Sequence, residues 1–292
     1  MSPSVEEPRP AQPDLEPARV RTLLVILITA AFVVILNETV LSVALPDLMD
    51  ELDIPAPTAQ WLTTGFMLTM AVVIPTTGFV LQRFAHRRVF MAAMVLFTLG
   101  TLLAMLAPGF PVLMVGRVIQ ACGTALMLPL LMTTVLNVIP VERRGSVMGL
   151  ISVVISVAPA VGPTISGLIL DSLSWRWLFA IMLPIALAAL ALGAWLMPAM
   201  GEQRRVGLDL ISVPLSVLGF GGLVMGLNGI GASDAAIPAV PAFVVGVIAL
   251  VLFVLRQRSL QREDRALLDL RPFTYRVYTC LLYTSPSPRE RG

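Results

Sequence analysis

Residues 19–46 read RVRTLLVILITAAFVVILNETVLSVALP. Arg19 and Arg21 precede a run from Leu23 to Leu36 whose only polar member is Thr29. Asn37 and Glu38 interrupt it, and the apolar character then resumes through Leu45. The stretch 22–45 therefore has the ~20 residues that carry an α-helix across a bilayer. Further stretches of the same kind lie at 59–81, 89–107, 111–139, 146–170, 177–197, 209–230 and 238–255. Eight such helices make this an all-α polytopic membrane protein.

Composition agrees. The 292 residues are 57% hydrophobic and 13% charged, with a mean hydropathy of +0.88, where soluble domains carry about 25% charged residues. That excludes a nucleic-acid binder, a disordered chain and an ordinary soluble enzyme. Two cysteines, Cys122 and Cys280, and one histidine, His86, supply neither a disulfide framework nor a zinc site. With no histidine inside a span and no phosphate-binding Gly-Lys-Ser/Thr loop, neither an enzyme nor an ATP-driven machine is encoded. No cofactor is expected. Work done by this chain must draw on an ion gradient or a partner.

Arginine placement sets the orientation, because short cytoplasmic loops hold the positive charge. With the N-terminus inside, the inner segments hold Arg9, Arg19, Arg21, Arg83, Arg87, Arg88, Arg143, Arg144, Arg204 and Arg205. Arg256, Arg258, Arg262, Arg265, Arg271 and Arg276 follow the eighth span on the same side. The outer segments hold Arg176 alone, and the first of them is acidic (Asp47, Asp50, Glu51, Asp53). The N-terminus is thus expected in the cytoplasm.

Charges within the spans carry the functional signal. Asn37-Glu38 lies about 15 residues into the first span and Arg117 about 6 into the fourth, which runs the opposite way; at ~1.5 Å per residue both sit roughly 9 Å from the same face. A lone charge near a helix centre costs ~2.5–3.5 kcal/mol on insertion scales, so such groups pair or face water. Matched depth invites an ion pair or a shared polar cavity, with Gln120 one turn along from Arg117. The alternative is that both side chains snorkel to the outer interface.

In the fifth span, Gly149, Ala158, Gly162, Pro163 and Gly167 form a run of small residues and prolines. Such a run is either a static packing seam or one that hinges. The loop motif from Gly78 to Val89 gathers Arg83, Arg87 and Arg88, which positive-inside anchoring explains, and His86 is expected to be exposed there. Trp61, Trp175 and Trp177, at span ends, are expected in an interfacial belt.

These pieces together resemble the major facilitator superfamily, in its branch of drug:proton antiporters with fourteen spans. Leu36-Asn37-Glu38-Thr39 through Val43-Ala44-Leu45-Pro46 is similar to the branch's Leu-Asp-x-Thr…Ala-Leu-Pro pattern, with Asn37 in place of aspartate. A subgroup of lincomycin-type efflux proteins carries Asn-Glu-Thr there. Gly78 to Arg88 is similar to the superfamily's loop motif, with Gln82 and Ala85 departing from it. Leu113, Gly116-Arg117 and Gln120 match the fourth-span motif, whose arginine is tied to proton coupling. Gly149, Ala158, Gly162-Pro163 and Gly167 follow the antiporter motif of the fifth span. Ser174-Trp175-Arg176-Trp177-Leu178-Phe179 and Leu267-Leu268-Asp269-Leu270-Arg271 also fit the branch.

The resemblance implies the N-terminal six-helix half of a major facilitator fold plus two additional transmembrane helices. A disordered cytoplasmic tail would occupy 1–21, the six-helix half 22–197, two linker helices 198–255 and a cytoplasmic connection 256–278. The partners implied are a small-molecule substrate, protons, the lipid bilayer of a bacterial cytoplasmic membrane and a missing C-terminal half. Glu38, Arg117, Asn37 and Gln120 would form the proton-coupling and substrate cavity of a multidrug efflux antiporter. A proton-coupled uptake symporter, or a non-transporting membrane fragment or scaffold, are the competing readings. Residues 279–292, polar and proline-rich, are expected to be a non-native tail. Reading the gene past the codon for Tyr278 should therefore find the frame continuing for about 180–220 residues, the length of six more spans with loops.

Overall fold

The structure is a computed structural model that describes residues 17–197, 211–229 and 238–261. The N-terminal tail to residue 16, Arg204 and Arg205, the 267–273 motif and the 279–292 tail lie outside the described residues. Among those described, all secondary structure is helical. The elements are α1 (Pro17–Val43), α2 (Leu45–Leu52), α3 (Ala56–Arg83), α4 (His86–Met105) and α5 (Phe110–Val138). They continue with α6 (Val141–Leu170), α7 (Arg176–Leu196), α8 (Ser212–Gly229) and α9 (Ala239–Gln261). α1, α3, α4, α5, α6, α7 and α9 are long and apolar enough to cross a membrane, and α8 is apolar but shorter. The expected spans are thus present as helices, mostly longer than their apolar cores because polar residues extend them at the ends. α1 starts at Pro17, where the missing N–H is one that no helical carbonyl would have received.

α2 was not expected. Leu45, Leu48 and Leu52 fall on one stripe of this short helix, with Leu48 fully buried and Asp47, Asp50 and Glu51 outward. Asp53 ends it in the left-handed region (φ 49°), its N–H donating to Met49 O.

The chain divides into two compact units, Met1–Phe66 with Ala85–Met200 and Met67–Phe84 with Gly201–Gly292. In the first, α4 packs on α5 and α7, while α1 packs on α5, α6 and α7. Apolar lipid gives helices no hydrophobic reason to associate, so close backbone contact must serve instead. A Cβ on Gly100 would lie 2.6 Å from both Gln120 N and Gly116 O, and one on Gly116 would lie 2.9 Å from Ala104 N. One on Gly123 would strike Ala93 O and the Phe97 backbone, and one on Gly193 would strike the Phe90 ring. α4 and α5 are therefore in backbone contact along most of their length.

Arginines cap two helix C-termini, whose last carbonyls have no intrahelical donors. Arg87 Nη2 donates to Ala194 O of α7 at 2.5 Å. Arg144 donates to Ile139 O at 2.9 Å and to Leu136 O at 2.7 Å, closing α5. Arg176 pairs with Glu51 and donates to Ala107 O at 3.2 Å, so it ties α2, the end of α4 and the start of α7.

Two sequence expectations are corrected. His86 is buried (4% exposed), not exposed, because α3 and α4 run so far that only Phe84 and Ala85 separate them. His86 thereby opens α4 on its inward face. Trp175 is also buried (1%), under Arg176 at 4.3 Å and edge-on to Phe179 at 6.1 Å. Trp61 and Trp177 are exposed, as an interfacial belt requires.

In the second unit α8 and α9 pack as a helical hairpin on glycines. Cβ atoms on Gly222 and Gly226 would lie 2.7 Å from Ala242 O and 2.6 Å from Phe243 Cβ. Buried Gln257 Nε2 donates to Ser212 Oγ at 2.7 Å.

Gly123→Leu should lower the stability of the detergent-solubilised chain by about 1–3 kcal/mol, read as a lower unfolding midpoint. Gly145→Ala, with nothing within 4 Å of its Cβ, should be neutral or stabilise by up to about 1 kcal/mol.

Candidate functional site

Arg117 lies two turns into α5 and is 0% exposed. Its Nη1 donates to Asn37 Oδ1 of α1 at 2.9 Å and to Gln120 Oε1 at 2.7 Å. Its guanidinium carbon sits 4.0 Å from the centroid of Phe66, which α3 supplies and which is also fully buried. Gln120 Nε2 in turn donates to Thr101 Oγ1 of α4 at 2.8 Å. Four helices thus converge on one cation inside the first unit.

Physical chemistry accounts for the burial. Hydrogen bonds to a charged group contribute roughly 1.5–3 kcal/mol each, and a desolvated cation–π contact about 2 kcal/mol. Together these offset the ~2.5–3.5 kcal/mol insertion cost of an arginine. Arg117 Nε has no hydrogen-bond partner, so the cation is anchored through one end of its fork.

The structure brings Asn37, Arg117 and Gln120 together. Arg117 does not snorkel to an interface, and no direct ion pair joins it to Glu38. Glu38 is part-exposed beside this cluster, and the two charges interact through space. Its neighbour Asn37, one residue before and 2% exposed, takes the hydrogen bond instead. Thr101 and Phe66 were not foreseen. The weak signal for Thr101 was a hydroxyl beside Gly100 in a span whose other hydroxyl is Thr98.

The fifth-span motif is split by the helix that carries it. Ala158, Gly162 and Ser166 form part of the buried face of α6. A Cβ on Gly162 would strike Thr39 Oγ1, and Ser166 Oγ donates to Val40 O at 3.2 Å and Gly162 O at 2.7 Å, a shared bond. Gly149 and Pro163 face outward, and Gly149 and Gly167 have nothing within 4 Å of a Cβ. Of the loop motif, Gly78 and Arg83 belong to α3, while Arg87 and Arg88 lie in the first turn of α4. Arg87 is the one whose bond to α7 is described above.

A bundle of apolar helices with a buried, shared cation is the pattern of a transporter. Residues 27–224 match the Major Facilitator Superfamily profile, and the chain belongs to that family of membrane transporters. It is 44% identical over 255 residues to the "uncharacterized MFS-type transporter YcnB" of Bacillus subtilis, covering 87% of this chain and 53% of that protein. It is 41% identical over 263 residues to the lincomycin resistance protein LmrB of Bacillus subtilis, covering 89% and 54%. The crystal structure of a peptide transporter, POT, in complex with sulfate superposes with a TM-score of 0.58 at 15% identity, over 94% of this chain and 55% of that one. The chain therefore spans about half the length of the curated relatives it matches.

Phe66→Leu should cost about 0.5–2 kcal/mol of stability, the worth of the ring under the cation. In a double-mutant cycle with Arg117→Met that cost should shrink, because the ring then faces no charge.

Proposed function

We propose that the chain is the N-terminal half of a transporter that exports small, lipophilic drugs in exchange for protons. The observation that carries this reading is Arg117, buried on Asn37 and Gln120 with the part-exposed carboxyl of Glu38 beside it. The name of LmrB, a lincomycin resistance protein, supports a drug as cargo. In this reading residues 22–197 are the six-helix half and 198–255 the two linker helices. A cytoplasmic connection at 256–278 leads to a second half, and 279–292 is non-native. The N-terminus is cytoplasmic, in the cytoplasmic membrane of a bacterium, and Gly78, Arg83, Arg87 and Arg88 mark that side.

The mechanism follows from electrostatics. A carboxyl can carry one proton across if its charge is tolerated on one side of the cycle and unfavourable on the other. Arg117 is the fixed positive charge against which Glu38 releases its proton. A substrate or water entering beside Glu38 changes that balance, which couples cargo to proton. The seam between α1 and α6, at Ala158, Gly162 and Ser166, is where one conformer slides into the next. The substrate site lies near the membrane midplane between the two halves, which rock to alternate access.

The competing reading is a membrane fragment or scaffold that transports nothing. Reconstituted 292-residue chain showing no substrate-dependent proton flux, beside an active full-length protein, would establish it. For the principal reading, Glu38→Gln in the full-length protein should abolish exchange driven by a pH gradient while leaving membrane insertion intact. Undiminished exchange would remove Glu38 from the mechanism.

A further inference from the structure

The geometry points to Thr101 as a positioning residue that holds Arg117 in place by dictating which end of the Gln120 amide faces it. Thr101 Oγ1 donates to Phe97 O, one turn back in α4, at 2.7 Å. A hydroxyl has one proton, so the Thr101 oxygen is left to act as an acceptor. Gln120 therefore presents its Nε2 to Thr101 at 2.8 Å and its Oε1 to Arg117 Nη1 at 2.7 Å. A flipped amide would set Oε1 against an oxygen with no proton to give and the NH₂ group against the cation. The polarity of the bond chain thus starts at a backbone carbonyl and ends at the guanidinium.

Thr101, Gln120 and Arg117 are all 0% exposed, so no solvent can replace a lost bond. Gly100 makes the reach possible, since a Cβ there would lie 2.6 Å from Gln120 N and 2.8 Å from Gln120 Cβ. Without an oriented Gln120, Asn37 is the remaining amide acceptor for Nη1, and the guanidinium is free to pivot toward Glu38. The functional meaning of this rests on the proton-exchange reading, but the positioning itself does not.

The test uses the 292-residue chain in lipid nanodiscs. Carbodiimide labelling of the Glu38 carboxyl is followed against pH by mass spectrometry, with Glu38→Gln as the unlabelled control. Thr101→Val should move the pH of half-labelling by about one unit, the scale of one hydrogen bond to a charged group. Thr101→Ser, which keeps the hydroxyl, should retain the wild-type profile. Gln120→Leu should move the profile as far as Thr101→Val, and the double variant no further, because both act through one chain of bonds. A Thr101→Val profile superimposed on wild type overturns the proposal, and so does a double variant whose shifts add. If Thr101→Val moves the curve while Glu38→Gln leaves exchange intact in the full-length protein, the positioning role stands and the proton-exchange reading falls.

Discussion

An arginine that cannot shed its charge must be solvated by protein when it sits in hydrocarbon, and Arg117 imposes that demand on the whole first unit. Asn37 comes from α1, Gln120 from α5 itself, Thr101 from α4 and Phe66 from α3. Each can reach only if its helix lies close, so the polar centre and the tight packing are one requirement. The glycines of α4 and α5 meet it: Gly100, Gly116 and Gly123 remove the side chains that would hold the two backbones apart. The same logic places Gly162 against Thr39, within two residues of Asn37.

Much of this was legible in the sequence. The long apolar runs read correctly because a bilayer demands a length and a composition that no other environment does. The depth argument put Asn37-Glu38 and Arg117 at one level, with Gln120 one turn along, since helix rise is fixed and arginine inside a span is rare. α2 escaped because eight residues in an acidic connection carry too little pattern. His86 and Trp175 were misread for a different reason. Their residue types and positions say where along the membrane they lie, not which way the first turn of a helix faces.

Thr101 and Phe66 were out of reach for a third reason. Threonines in apolar helices commonly bond their own backbone, as Thr124 does to Gln120 O and Thr134 to Leu130 O. Only the three-dimensional neighbour distinguishes Thr101, which makes that backbone bond and also accepts one from Gln120. Phe66 is one of 12 phenylalanines, and its sequence context marks it in no way. Residues that touch the cation by packing, rather than by charge, leave no trace in composition.

The bond from Arg117 to Asn37 spans 80 positions of chain. At a synthesis rate of roughly 5–20 residues per second, α1 emerges about 4–16 s before its cationic partner exists. During that interval Asn37 and Glu38 sit in a newly inserted helix with nothing from α5 to meet them. α1 is nonetheless among the most buried spans of the finished protein, at 61%. The burial of α1 and its bond at Asn37 can therefore be completed only after α5 has been inserted.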